Sequence, residues 1–135
     1  MAVGGWILDK SAAARVDLLG SGNELESLAG QLFVCPVGEL ERCYSARSAA
    51  EYDHVAGDLR AVFPRAVAPD DLLDRALALQ RDLAHHHGMW HRTPIPDLLI
   101  AETALYNRLG VVHADRHFDR IAEVRPLVTR RIRVG

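Results

Sequence analysis

Four carboxylates, Asp9, Glu39, Asp97 and Asp115, stand where an α/β chain aims side chains at one end of a sheet. Asp9 ends the apolar run Trp6-Ile7-Leu8. Glu39 falls in the first turn of the helix that follows "LFVCPV". Asp97 comes straight after Pro96, at the start of "PDLLIAETALYNRLG", and Asp115 follows "VVH". Each acid has an ordinary explanation when taken singly. Glu39 and Asp97 suit helix starts, where the dipole favours anions by up to ~1 kcal/mol; Asp9 and Asp115 suit loops. Gathered together they would repel, and some would hold a proton. A divalent cation removes that penalty. Hard oxygen donors select Mg²⁺ or Mn²⁺ over zinc, and Mg²⁺ held by few carboxylates keeps positions open for a phosphate.

The elements that must position these acids follow from periodicity and punctuation. Short apolar runs at 3–8, 32–37 and 111–113, and the closing "LVTRRIRV", read as strands, with Ala66–Val67 as a minimal one. Ser11 fits an N-cap before "AAARVDLL", "GSGN" at 20–23 is a break, and "ELESLAGQ" is a short helix. Residues 38–63 carry helical periodicity with a break near 47–50. Residues 69–88 and 96–110 read as proline-started, glycine-stopped helices, and "ADRHFDRIAEV" as a turn and helix. Strands that alternate with helices predict an α/β fold: a short parallel sheet flanked by helices on both sides, in three layers. Such sheets bind ligands beyond the carboxyl ends of their strands.

The 135 residues suit one domain over 1–135, and 49% hydrophobic with 25% charged residues is an ordinary globular balance. No apolar stretch reaches the ~20 residues of a membrane helix, and no export signal is read at the N-terminus, so a cytoplasmic protein is expected. Cys35 and Cys43 match no metal or redox spacing and read as buried thiols. The net charge of −2 gives no global pull toward nucleic acid, but from Arg108 onward seven arginines face three acids.

Four segments in this order, "ILDKSA", "VGELE", "IPDLLIAETA" and "HADRHFDRIAEV", resemble the PIN domain, specifically the VapC toxins of bacterial toxin–antitoxin pairs. The resemblance spans nearly the whole chain. It implies a PIN-like fold and a catalytic set of Asp9, Glu39, Asp97 and Asp115, with Asp9, Asp97 and Asp115 as metal ligands. It places Ser11 where a hydroxyl holds a carboxylate or a metal water. Asp119 becomes a supporting acid or the partner of a nearby arginine. The family's usual threonine or serine after the first aspartate is Lys10 here. Neighbours on an extended chain face opposite sides, so Lys10 is expected to point away from the acids.

The activity implied is a Mg²⁺- or Mn²⁺-dependent endoribonuclease, with Arg92, Arg116 and Arg120 as RNA contacts. The partners implied are a VapB-type antitoxin across an apolar groove made by residues 11–60, and a second copy in a homodimer. Trp90 could stack on a base, while Trp6 reads as core or interface. His85, His86 and His87 cannot share one helix face, which makes them a solvated helix end rather than a zinc site. His113 and His117 read as packing or surface residues, or RNA contacts. Three other readings stay open: a different metal-dependent phosphoesterase on this fold, a PIN-like nucleic-acid-binding module without turnover, and an α/β adaptor.

Overall fold

A computed structural model describes residues 3–13 and 31–132. The rest of the first helix, the break at 20–23, the helix after it and the tip of the last strand lie outside the described residues. Within them the elements are β1 (Trp6–Leu8), α1 (Lys10–Ala13), β2 (Leu32–Phe33), α2 (Pro36–Tyr44), α3 (Ala49–Val62), α4 (Leu72–His85), α5 (Ile95–Tyr106), β3 (Gly110–His113), α6 (His117–Ile121) and β4 (Thr129–Arg131).

The four strands form one sheet in the order β2-β1-β3-β4, and every pairing is parallel. The expected α/β class is therefore the observed one. From β1 the chain steps to β2 on one side, then crosses back to β3 on the other. The order reverses between β1 and β3, which is where an open parallel sheet leaves a crevice at its carboxyl end. Leu8 is in register with Val112, and Asp9 N–H donates to the Val112 carbonyl at 2.9 Å. Asp9 thus emerges directly beside the strand that leads to Asp115.

Alternation along the strands splits the core between the two faces of the sheet. Ile7 and Val111 point into the larger core, with Leu79, Leu83, Leu98, Ile100, Phe118 and Ile121. Trp6, Leu8 and Val112 face the other side, against Ala12 and Ile132. Helix α5 lies against α2, α4, α6 and the sheet. That central place explains why its apolar residues cover nearly the whole circumference instead of one stripe. It also fixes Asp97, in its first turn, against the body of the protein.

The expected break in the helical stretch 38–63 falls between α2 and α3, at residues 45–48, and Ser48 caps the second helix by accepting Glu51 N–H at 3.0 Å. Two local readings change. Helix α5 stops at Tyr106, before the glycine, because Arg108 takes the left-handed turn at φ 57°. Gly110 belongs to β3 instead, where an added Cβ would stand 2.5 Å from the Trp6 ring and 2.9 Å from the Val128 carbonyl. The third parallel contact beside β2 is Val34 with Arg65, one residue earlier than Ala66–Val67.

Candidate active site

Asp9 sits at the tip of β1 and is 2% exposed. Its Oδ2 accepts Ser11 N–H at 3.0 Å and Ser11 Oγ–H at 2.6 Å. Asp9 is therefore the residue that caps α1, where the sequence pattern had suggested Ser11. Ser11 Oγ also accepts Ala114 N–H at 2.9 Å. One hydroxyl thus ties the first acid to the backbone just before Asp115, across 103 positions of sequence.

Asp97 is 4% exposed, at the start of α5. Burial and the nearby charges of Asp9, Asp115 and Glu41 push its carboxyl up to about 8, with Lys10 pulling weakly the other way. Crowded carboxylates in a dry pocket behave in this way. Asp115 follows β3 and accepts His117 N–H at 2.8 Å. The imidazole of His117 turns back between the two acids: Nδ1 lies 2.9 Å from Asp97 Oδ2 and 3.4 Å from Asp115 Oδ1. Ligand atoms of Asp97, Asp115 and His117 all fall within 4.8 Å of one another.

The structure does not bring Glu39 to this cluster. Glu39 turns to Arg65 and pairs with its guanidinium. The acid of α2 that acts electrostatically on Asp97 is Glu41. Two residues of an α-helix are about 200° apart, so one turn cannot aim both at the same place. The helix-start position drew attention to Glu39, but the facing of α2 decides for Glu41.

Lys10 also departs from expectation. Its Nζ pairs with Glu41 Oε2 at 3.0 Å, and the hydrogen bond and charge of Glu41, then Asp9 and Asp97, raise its pKa. The reason is local: Lys10 is the first residue of α1 and not the continuation of a strand, so alternation does not apply. The chain's only lysine faces the acids.

Asp119 is engaged with β4. It lies 3.3 Å from Arg131 Nη1, accepts from Thr129 Oγ1 at 3.5 Å, and lies 3.5 Å from buried His113. Of the three arginines expected to meet RNA, Arg92 and Arg116 are exposed. The Arg120 guanidinium instead lies 5.0 Å over the Trp90 ring, which stacks on His86 at 4.3 Å. Burial pushes the Cys35 thiol up to about 11, and Cys35 and Cys43 are both free and buried.

The donors fit a divalent cation. Asp9 Oδ1 and Glu41 Oε1 are buried without a hydrogen-bond partner, and burying such atoms unsatisfied costs about 1–3 kcal/mol each. Both belong to the group around Asp97, and oxygen donors dominate it. The cluster is consistent with a metal site. His117 was the member that residue type alone did not single out; its signal is the two-residue spacing after Asp115, which folds its side chain back over that acid.

Comparison with known proteins identifies the family of the chain. Residues 8–124 match the PIN domain family. The chain is 56% identical over 125 residues to Ribonuclease VapC17 of Mycobacterium tuberculosis, covering 90% of each chain. It is 35% identical over 121 residues to Ribonuclease VapC21 of the same organism, covering 88% of this chain and 87% of that one. Among solved structures, VapBC2 from Rickettsia felis bound to a promoter DNA fragment superposes with a TM-score of 0.71 at 16% identity, covering 95% and 98% of the two chains. VapBC-5 from Mycobacterium tuberculosis gives 0.66 at 18%, covering 96% and 99%. The chain therefore belongs to the PIN domain family, among the VapC ribonucleases.

Proposed function

We propose that this protein is the toxin of a type II toxin–antitoxin pair, a Mg²⁺- or Mn²⁺-dependent endoribonuclease held in check by a VapB-type antitoxin. The observation that carries the reading is the cluster of Asp97, Asp115 and His117 at the switch point of the sheet, with Asp9 and Glu41 close enough for their charges to act on Asp97 and each with a buried oxygen left unpaired. Kinship at 56% with a ribonuclease supports it.

Asp9, Asp97 and Asp115 would hold the cation, with Glu41 and His117 Nδ1 beside them. A divalent ion there acidifies water to a nucleophile at neutral pH and offsets charge on the leaving oxygen. The residues of the chain do the placing. Ser11 fixes one oxygen of Asp9 and leaves the other free for the cation. With a cation bound, Asp97 would be held as the carboxylate, its proton released to solvent. Attack by water would spare the 2′-hydroxyl and leave a 5′-phosphate and a 3′-hydroxyl. No histidine is required as general base.

An antitoxin segment would lie on the cavity of about 290 Å³ between α2 and α3, lined by Pro36, Leu40, Tyr52 and Leu59. A basic side chain from it would enter the acids by charge-assisted hydrogen bonds. A homodimer accords with the family resemblance. No helix among the described residues is long and apolar enough to cross a membrane.

The purified protein incubated with RNA or DNA, in Mg²⁺, Mn²⁺ or EDTA, tests the reading. RNA cuts that need the metal, with DNA spared and 5′-phosphate ends, are the expected result. DNA cleavage would favour another phosphoesterase, and RNA binding without cuts a binding module.

A further inference from the structure

Next to the α2–α3 cavity, and sharing Leu40 with it, runs a second groove, of about 580 Å³. Lys10, Val37, Leu40, Glu41, Tyr44 and Pro96 line it. Its inner wall, Lys10 and Glu41, is shared with the acid cluster. Pro96 directly precedes Asp97 in the chain. The outer wall is Tyr44, the last residue of α2 and 90% exposed. Among the described residues its ring stacks on no aromatic or cationic side chain.

We infer that this groove is a nucleotide subsite: Lys10 takes the phosphate next to the one being cut, and Tyr44 stacks on the attached base. The inference rests on the ribonuclease reading above. A strand that presents one phosphate to the acids lays its neighbouring nucleotide against whatever wall adjoins them, and this groove adjoins them. Anionic acids repel that neighbouring phosphate, so a cation is needed at the boundary. Lys10 supplies it: its side chain is 63% exposed, and its flexible stem lets Nζ exchange Glu41 for a phosphate oxygen. An exposed ring with an unoccupied face is the usual sequence-tolerant seat for an unpaired base. The groove accordingly combines a cation beside the acids with an exposed aromatic wall.

The test uses a short single-stranded RNA spanning a mapped cut, labelled, with Ca²⁺ in place of Mg²⁺ to hold it uncut. Binding is followed against salt for the wild-type protein and the variants Lys10→Met, Tyr44→Ala and Tyr44→Phe. Lys10→Met should flatten the log–log salt slope by about 0.7, the share of one single-strand phosphate. It should also tighten Mn²⁺ binding measured by calorimetry without RNA. Tyr44→Ala should weaken RNA binding about ten-fold at unchanged slope, and Tyr44→Phe should restore it. Both side chains are exposed, so folding is not at issue. Wild-type affinity and slope in Lys10→Met and Tyr44→Ala would overturn the subsite while leaving the nuclease intact. If those variants instead lose a co-purified antitoxin, the groove is a protein seat and the inference falls. A wild-type protein that cuts no RNA would overturn the ribonuclease reading, and the subsite with it.

Discussion

Glu39 and Glu41 stand two residues apart on α2 and face opposite ways, Glu39 toward Arg65 and Glu41 toward Lys10 and the buried acids. Their exchange should therefore separate cleanly. Glu41→Gln should cut divalent affinity about ten- to hundred-fold, the range seen when a group supporting a metal site is lost, and cleavage should drop with it. Glu39→Gln should leave cleavage as it was. Calorimetric Mn²⁺ titration and an RNA cleavage assay on both variants check this, and a Glu39→Gln protein that is the more impaired would reverse the assignment.

The crowding of Asp97 makes metal-free stability depend on pH in a set direction. Its folded carboxyl titrates at about 8 against 3.8 for the ordinary group, so the folded state holds the extra proton between those values. Stability must then fall as pH rises through this window and level off above about 8. Thermal unfolding in EDTA from about pH 5 to about pH 9 should show the fall. Saturating Mg²⁺ should oppose it, because the ion binds the deprotonated form. Asp97→Asn should remove most of the slope, keep or raise metal-free stability, and abolish cleavage. A less stable metal-free Asp97→Asn protein would mark this acid as a structural helix-start residue.

Ser11 joins two parts of the site that are remote in sequence. Ser11→Ala removes a donor to Asp9 and strands the Ala114 N–H. An unsatisfied donor in this half-buried place costs about 1 kcal/mol, and a misplaced Asp9 should weaken metal binding too. Denaturant unfolding and Mn²⁺ titration should show both losses. Ser11→Thr, which keeps the hydroxyl, should recover the metal affinity.

Arg120 and Trp90 form a clip between α6 and the loop before α5. Arg120→Ala should lower stability by about 0.5–1 kcal/mol, the scale of a cation–π contact, and shift the tryptophan emission. The salt dependence of RNA binding should stay as in wild type; a flatter slope would return Arg120 to the RNA-contacting set.

The sequence made the fold legible wherever punctuation and periodicity agreed. Helix α5 shows it: proline at its start, an unbroken apolar body, and a strand just after. The carboxyl-end placement of Asp9, Asp97 and Asp115 was legible for the same reason, since each sits at an element boundary. What was not legible turned on rotation. Glu39 and Glu41 are equally plausible in the string, and only the packing of α2 against α5 selects one. Lys10 was misjudged because a single residue decides whether the strand continues or a helix begins, and element boundaries are the weakest part of a sequence reading. The role of Arg120 depended on where the loop carrying Trp90 would lie, which no local pattern encodes.

The hydrogen bond from Ala114 to Ser11 spans most of the polypeptide, and the β1–β3 pairing that carries it cannot exist until Val112 has been made. A nascent or truncated chain that stops before β3 owns the first acids but no assembled centre. The assembled centre is therefore an all-or-none product of β1–β3 pairing, because no sub-fragment ending before Val112 can make the Ser11 to Ala114 link.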